Sequence, residues 1–370
     1  MRSTLTEYHR ALTVLDRLLV RAGIEDELLA LRDATPGTSY AGLVARMRET
    51  TALIDLRRSR YSSVIVSLYS ALERFLDSTI KSYIDSLDSI VARYSELPTE
   101  ITETHQRKTL EALLDAPWLG RSGVPETTLI QNLHSCAAGL AQYRINGMVF
   151  ARHAANYRKE SLATIFQSFG VRDILRRTVE NEFFSSYLGA TRRRGLTDHE
   201  CGAIDDLAER RNEVAHSEPT ELLSTALLRE YVSFFWHFGL SLFDVLRCDL
   251  AAHAARHRGV RLMKVDRVHY KTVVIADLSA LDLGRRISVG MPIAMLMKAK
   301  SRGQTRVGRV AEIRMENRPV DWVEAETGLS VGLRLSFRPV AGQVLYLCDL
   351  GPELSWLPEG PAHENLGPTI

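Results

Sequence analysis

Cysteine is scarce in this chain: four in 370 residues, Cys136, Cys201, Cys248 and Cys348, spaced so widely that no CxxC pair or zinc-type pattern exists. A disulfide framework and a structural zinc site are excluded as organising devices, and reduced, mostly buried thiols are expected. No apolar run approaches the roughly 18 to 20 residues needed to cross a bilayer. Met1 to Arg10 carry charge where a secretory leader would carry an apolar core. The expectation is a cytoplasmic protein with no membrane partner. No G-x-x-x-x-G-K-[ST] loop occurs either, so triphosphate hydrolysis on a phosphate loop is not implied.

What is present is an ordinary globular composition, 45% hydrophobic and 25% charged, in a chain long enough for two or three domains. The net charge of +2 conceals an asymmetry. Residues 252 to 318 hold 15 Lys or Arg against 5 Asp or Glu, which is +10 locally and leaves −8 for the remainder. Such a split points to a surface that meets an anionic partner, nucleic acid or ribosome before membrane.

Apolar residues recur at helical spacing through most of the first 258 positions. Leu12, Leu15, Leu18, Leu19, Leu28, Leu29 and Leu31 mark one or two amphipathic helices with Gly23 as a possible break, and a second helical stretch covers about Tyr40 to Arg58. A central core helix follows from Arg60 to about Tyr94, bearing Val64, Ile65, Leu68, Leu72, Phe75 and Leu76. Glu73 sits among these apolar neighbours and is either half-buried with a partner or solvated. Arg192, Arg193 and Arg194 form a basic loop, open to reading as a solvated turn or as a phosphate contact. Thr197-Asp198-His199-Glu200 fits a capping box that starts a helix running toward His216. Pro219 disfavours helical geometry at Glu218 and ends that helix near His216 or Ser217. The next helix is expected from about 220 to 256, with Phe234, Phe235, Trp236 and Phe238 as core or dimer interface. His253 and His257, at i and i+4, lack the Glu of a zinc-protease motif and read as a solvated face.

After Gly259 the period changes from 3.6 to 2. Five or six short strands follow, including Ile287 to Lys298, Thr305 to Glu316, Leu329 to Phe337 and Val344 to Leu347, without an intervening helix, which implies a small antiparallel barrel. The fold expectation is a multidomain α plus β chain: an all-α helical bundle over residues 1–258, a β-barrel over 259–350, and an acidic, proline-containing tail over 351–370.

The stretch that bears chemistry is Arg210-Arg211-Asn212-Glu213-Val214-Ala215-His216. Arg211 and His216 are about 140° apart on an ideal helix, but a helix end lets the imidazole swing toward the guanidinium. Asn212 and His216, at i and i+4, share a face, so the amide can orient the ring. Histidine as base or acid beside a permanent bidentate cation suits RNA cleavage by the 2′-hydroxyl. Arg211-Asn212-Glu213-Val214-Ala215-His216 resembles the Arg-x4-6-His motif of HEPN domains. Tyr69-Ser70-Ala71-Leu72-Glu73-Arg74-Phe75 is similar to an upstream helix of the ribonuclease-linked HEPN group. That resemblance implies a helical, dimeric, metal-independent endoribonuclease without cofactor, of the toxin, phage-defence or RNA-processing kind. Arg211 and His216 would be catalytic, Asn212 would assist them, and Glu73 would support the site. Some HEPN domains are non-catalytic, so an RNA-binding or ribosome-associated adaptor is the alternative.

Gly308-Arg309-Val310-Ala311-Glu312-Ile313, with Asn317-Arg318-Pro319-Val320 and Val331-Gly332-Leu333-Arg334-Leu335, resembles the second, β-barrel domain of translation factors. The implied partner is tRNA or ribosomal RNA, an inhibitor protein being a further possible partner. Arg192, Arg193, Arg194, Lys298, Lys300 and Arg302 are the expected RNA contacts.

Overall fold

The computed structural model describes residues 1–30, 53–153, 156–189, 201–219, 221–297 and 305–348. Arg192, Arg193, Arg194, the capping box at Thr197, Lys298, Lys300, Arg302 and the 351–370 tail lie outside them.

Three long helices carry the helical region. The first, α1 (Arg2–Ala30), runs through Gly23 without a break. A helical glycine costs only about 1 kcal/mol, and buried Leu5, Tyr8, Leu12, Leu15, Leu19 and Ala22 form a continuous apolar stripe that outweighs it. Leu18, counted above with the apolar face, is half-exposed. The second, α2 (Leu53–Ile90), is the core helix, and Ile65, Leu68, Leu72 and Leu76 are fully buried at spacings of three and four. Among the described residues seven shorter helices follow: α3 (Thr99–Leu113), α4 (Ala116–Ser122), α5 (Glu126–Ala137), α6 (Gly147–Ala151), α7 (Lys159–Gln167), α8 (Ile174–Glu180) and α9 (Glu182–Gly189). Then come α10 (Gly202–His216) and the long α11 (Thr225–His257).

Helix α11 starts five residues later than the proline suggested. Ser224 accepts a hydrogen bond from Leu227 N at 3.2 Å, so the serine rather than Pro219 opens the helix. Helices α1 and α11 run antiparallel, because Tyr8 Oη donates to Phe235 O at 3.1 Å while Asp16 accepts from Arg229 Nε at 2.9 Å. Gly239 permits this approach, since a Cβ there would stand 2.5 Å from the Tyr8 ring. The last turns of α11 are only partly a solvated face: Arg256 and His257 are exposed, but His253 is not. His253 is largely buried and lies 3.8 Å from the Asp249 carboxylate, and its ring stacks on that of His257.

Helix α11 ends at His257 and the first strand begins at Val260. The strands are β1 (Val260–Lys264), β2 (Val273–Asp277), β3 (Arg286–Ser288), β4 (Pro292–Leu296), β5 (Arg306–Met315), β6 (Arg318–Val320), β7 (Trp322–Glu324), β8 (Ser330–Leu335) and β9 (Val344–Leu347). That is more than the five or six expected, for two reasons. Gly290, at φ 86°, breaks the stretch from Ile287 into β3 and β4, and β6 and β7 are too short to show a period. The main antiparallel sheet has the order β1-β9-β4-β5-β8-β2, with β6 beside β5, and is nearly closed into a barrel; β3 pairs with β7. Alternation along β4 joins the two regions: Ile293 and Met295 enter the barrel core, while Ala294 between them packs into the helical core with Val307 and Cys348.

Candidate active site

Helix α10 places the motif. Ile204, Leu207 and Ala208 are buried on one side of it, and Arg210 fastens the same helix to its neighbours. Its Nε donates to Asp206 at 2.8 Å and its Nη1 to Tyr61 Oη at 3.2 Å, and Asp206 also accepts from Tyr231 Oη. Burial works against the Arg210 charge, yet these partners hold its pKa above the ordinary value. Arg210 is thus a strut between α2, α10 and α11.

Arg211 turns the other way. Its guanidinium carbon lies 5.6 Å from the centre of the Tyr69 ring, within cation–π range, and its Nη1 donates to Asn212 Oδ1 at 3.2 Å. The same oxygen accepts from Asn156 Nδ2 at 2.6 Å. The segment just after Asn156 closes the arrangement: Tyr157 N donates to Tyr69 Oη at 2.9 Å, and Tyr157 Oη donates to Asp77. His153 Nε2 stands 3.6 Å from Asp77, and its ring packs on Tyr157. Two further bonds pin this segment to α10, Lys159 N to Asp205 at 2.8 Å and Arg158 to Glu209 at 2.9 Å.

Tyr69, Glu73 and Asp77 form a polar column one turn apart along α2. Glu73 is half-buried, which agrees in exposure with the first of the two readings its sequence allowed. Burial pushes the Tyr69 phenol up to about 12; the Tyr157 N–H and the Arg211 charge oppose the rise, and Glu73 and Asp77 add to it. Burial, then Asp77, drives the Tyr157 phenol higher still. Both hydroxyls are therefore neutral at physiological pH.

His216 is the last residue of α10 and is exposed. Ser217 is extended and its N–H returns to Glu213 O at 2.8 Å, so the helix stops where the proline signal placed its end. The structure groups Arg211 with Asn212, Tyr69 and Asn156. Among the described residues no hydrogen bond joins His216 to Arg211 or to Asn212, whose carbonyl is occupied by Asn156. Sequence reasoning missed Asn156, Tyr157, Asp77 and His153. The spacing of Tyr69, Glu73 and Asp77 was a signal for Asp77; the contacts of His153, Asn156 and Tyr157 carry no local signature. Among the described residues no group of three His, Cys, Asp or Glu is arranged to hold a metal ion, and no helix is long and apolar enough to cross a membrane.

No curated protein matches the chain significantly. Residues 43–247, more than half the chain and including Tyr69, Asn156, Arg211, Asn212 and His216, match the family model described as RiboL-PSP-HEPN. With a helical body, the Arg211–His216 motif closing one of its helices and this match across it, the chain belongs to the RiboL-PSP-HEPN family.

Proposed function

We propose that this protein is an endoribonuclease that cuts a translation-related RNA, tRNA or ribosomal RNA, by internal attack of the 2′-hydroxyl. Family membership points to ribonuclease or RNA-binding function. The observation that carries the sharper reading is the preset guanidinium: Arg211 is held by Tyr69 and Asn212, and Asn212 by Asn156. A cation fixed before substrate arrives suits charge that develops on a phosphoryl group. In the scheme His216 removes the 2′-proton, the 2′-oxygen bonds to the adjacent phosphorus, and the bond to the 5′-oxygen breaks. A second imidazole protonates the leaving oxygen, giving a 2′,3′-cyclic phosphate and a 5′-hydroxyl. That second imidazole would be His216 of another copy, in a homodimer with its two helix ends at one cleft. A toxin or phage-defence role, with an inhibitor protein as partner, is the setting this reading favours, and the translation-factor-like sequence of the barrel is what suggests the RNA class.

Purified chain is expected to cut tRNA or ribosomal RNA in EDTA and leave cyclic phosphate ends. Arg211→Ala and His216→Ala should slow the cutting by at least about 10²-fold with unchanged circular dichroism. Normal cutting by both variants refutes the assignment.

One observation favours a second reading, a non-catalytic RNA-binding or ribosome-associated adaptor. Within the chain Arg211 is directed onto Tyr69 and Asn212 and not toward His216. Salt-sensitive RNA binding without any turnover, retained in His216→Ala, is the result that would select it.

A further inference from the structure

The barrel carries a set of cations that the Arg211 motif does not use. A cavity of about 430 Å³ opens where the connection between β1 and β2 meets the start of β5 and the connection between β8 and β9. Lys271, Arg306 and Arg338 rim it, and Val268, Pro339 and Val340 line its wall. All three cations are exposed. Arg306 Nη1 donates to Arg338 O, which ties the two arginine-bearing segments together.

Three other cations of the barrel are paired with carboxylates. Arg285 pairs with Asp282 at 3.6 Å, and Arg314 and Arg334 both pair with Glu312. Among the described residues no carboxylate pairs with Lys271, Arg306 or Arg338, and none lines the cavity. Three like charges gathered without a counter-charge repel one another, and an anion placed among them relieves that repulsion. Guanidinium forks match phosphate oxygens bidentately.

A second feature adjoins the first. The turn before β2 is closed by His269 N to Val273 O at 2.7 Å and the reciprocal bond at 2.8 Å. Its tip residues Tyr270 and Lys271 both have left-handed backbone, at φ 46° and 67°, unusual for consecutive residues other than glycine. That geometry leaves Tyr270 93% exposed. An aromatic ring so exposed contributes nothing to the core, and its neighbour in the chain is one of the three rim cations. Cations beside a free aromatic face are what an unpaired nucleotide strand requires, charge for its backbone and a ring for its bases.

We propose that this opening is a binding site for single-stranded RNA, in which Lys271, Arg306 and Arg338 hold consecutive phosphates and Tyr270 stacks on a neighbouring base. The choice of RNA rests on the ribonuclease reading above; the choice of a single strand rests on Tyr270, since bases within a duplex offer no free face.

The test uses the full chain carrying His216→Ala, so that cutting is slow on the time scale of the measurement, and measures binding of a short labelled single-stranded RNA and of its duplex over a range of salt. The single strand is expected to bind more tightly than the duplex. Lys271→Glu with Arg338→Glu should weaken single-strand binding at least about tenfold and make the salt dependence shallower by roughly 1.4 in log–log slope for two lost phosphate contacts. Tyr270→Ala should weaken binding about fivefold or more and leave the slope unchanged. Unfolding midpoints of all variants confirm that they are folded. If RNA binds but is indifferent to these substitutions, this site is wrong and the ribonuclease reading stands. Equal affinity for duplex overturns the single-strand assignment. If no RNA binds in any form, both readings fall.

Discussion

In the helical region several charged groups are drawn inward and paired. Arg247 is buried on α11, with its Nε 3.0 Å from Asp244, whose other oxygen accepts from Asn181 at 2.8 Å. Arg210 is clamped by Asp206 and Tyr61, and Arg211 lies on Tyr69. On the barrel, Lys271, Arg306 and Arg338 are exposed and have no carboxylate partner among the described residues. Matching spends a charge on fixing geometry, while an unmatched charge stays available to a mobile polyanion. On the two proposals above, alignment and chemistry would fall to the helical region and grip to the barrel.

The largest expected effect tests that division directly. His216→Ala should slow cleavage by about 10² to 10⁴-fold, the usual weight of a general acid or base, while RNA affinity by fluorescence anisotropy changes less than about twofold. A collapse of affinity in this variant would show that the two jobs are not separated. Next is stability. Arg247→Met leaves Asp244 buried without its cation and should cost about 3–5 kcal/mol in urea unfolding, whereas Arg338→Met on the barrel should stay within about 0.5 kcal/mol. Similar losses at both positions would erase the contrast.

Asn156→Ala should reduce the cleavage rate about tenfold by releasing Asn212 and with it the Arg211 guanidinium. The loss should appear in kcat rather than KM, and Asn156→Gln should recover part of it. A pure KM effect would move Asn156 from positioning to substrate binding.

The smallest effect contrasts two carboxylates. Burial pushes Asp88 up to about 7, although the Ile145 N–H opposes this. Arg314 and Arg334 hold Glu312 on the barrel below the usual range. A carboxyl whose folded pKa is raised binds more protons in the folded state than in the unfolded one. Its contribution is therefore fully present below about pH 4 and is lost as pH rises toward 7. Wild type should lose on the order of 1 kcal/mol across that window relative to Asp88→Asn, after allowance for its partial solvent contact. Chemical denaturation at several pH values measures it; parallel pH profiles for the two proteins would remove Asp88 from the account.

Much of the secondary structure was legible. The stripe Ile65, Leu68, Leu72, Leu76 announces α2 because burial repeats every three or four residues, and the alternation of Arg306 to Met315 announces β5. Pro219 stops α10 at His216 because the residue before a proline cannot stay helical without a clash. Legibility failed where a local preference was weak or was overruled. Gly23 does not break α1, since its cost is small against a continuous buried face, and Ser224 rather than Pro219 starts α11. His253 looked solvated by spacing and is packed beside Asp249. In the candidate site Arg211, Asn212, His216 and Glu73 were nameable from residue type and order, and the network that positions the first two was not.

The sequence by itself indicated the long helices, most of the longer strands, the order of helical region before barrel, and which residues at the end of α10 are candidates for chemistry; the short helix Ala116–Ser122, in a proline- and glycine-punctuated stretch that reads as helix ends or a loop, it did not. These follow from periodicity, from backbone limits at proline and glycine, and from side-chain type, all local properties. Only the tertiary structure decided that Asn156 meets Asn212 across 56 residues of chain, that Tyr69 lies beneath Arg211, and that Lys271, Arg306 and Arg338 share one rim. Such meetings depend on how buried faces stack, and no short stretch of chain records which distant face its own will find.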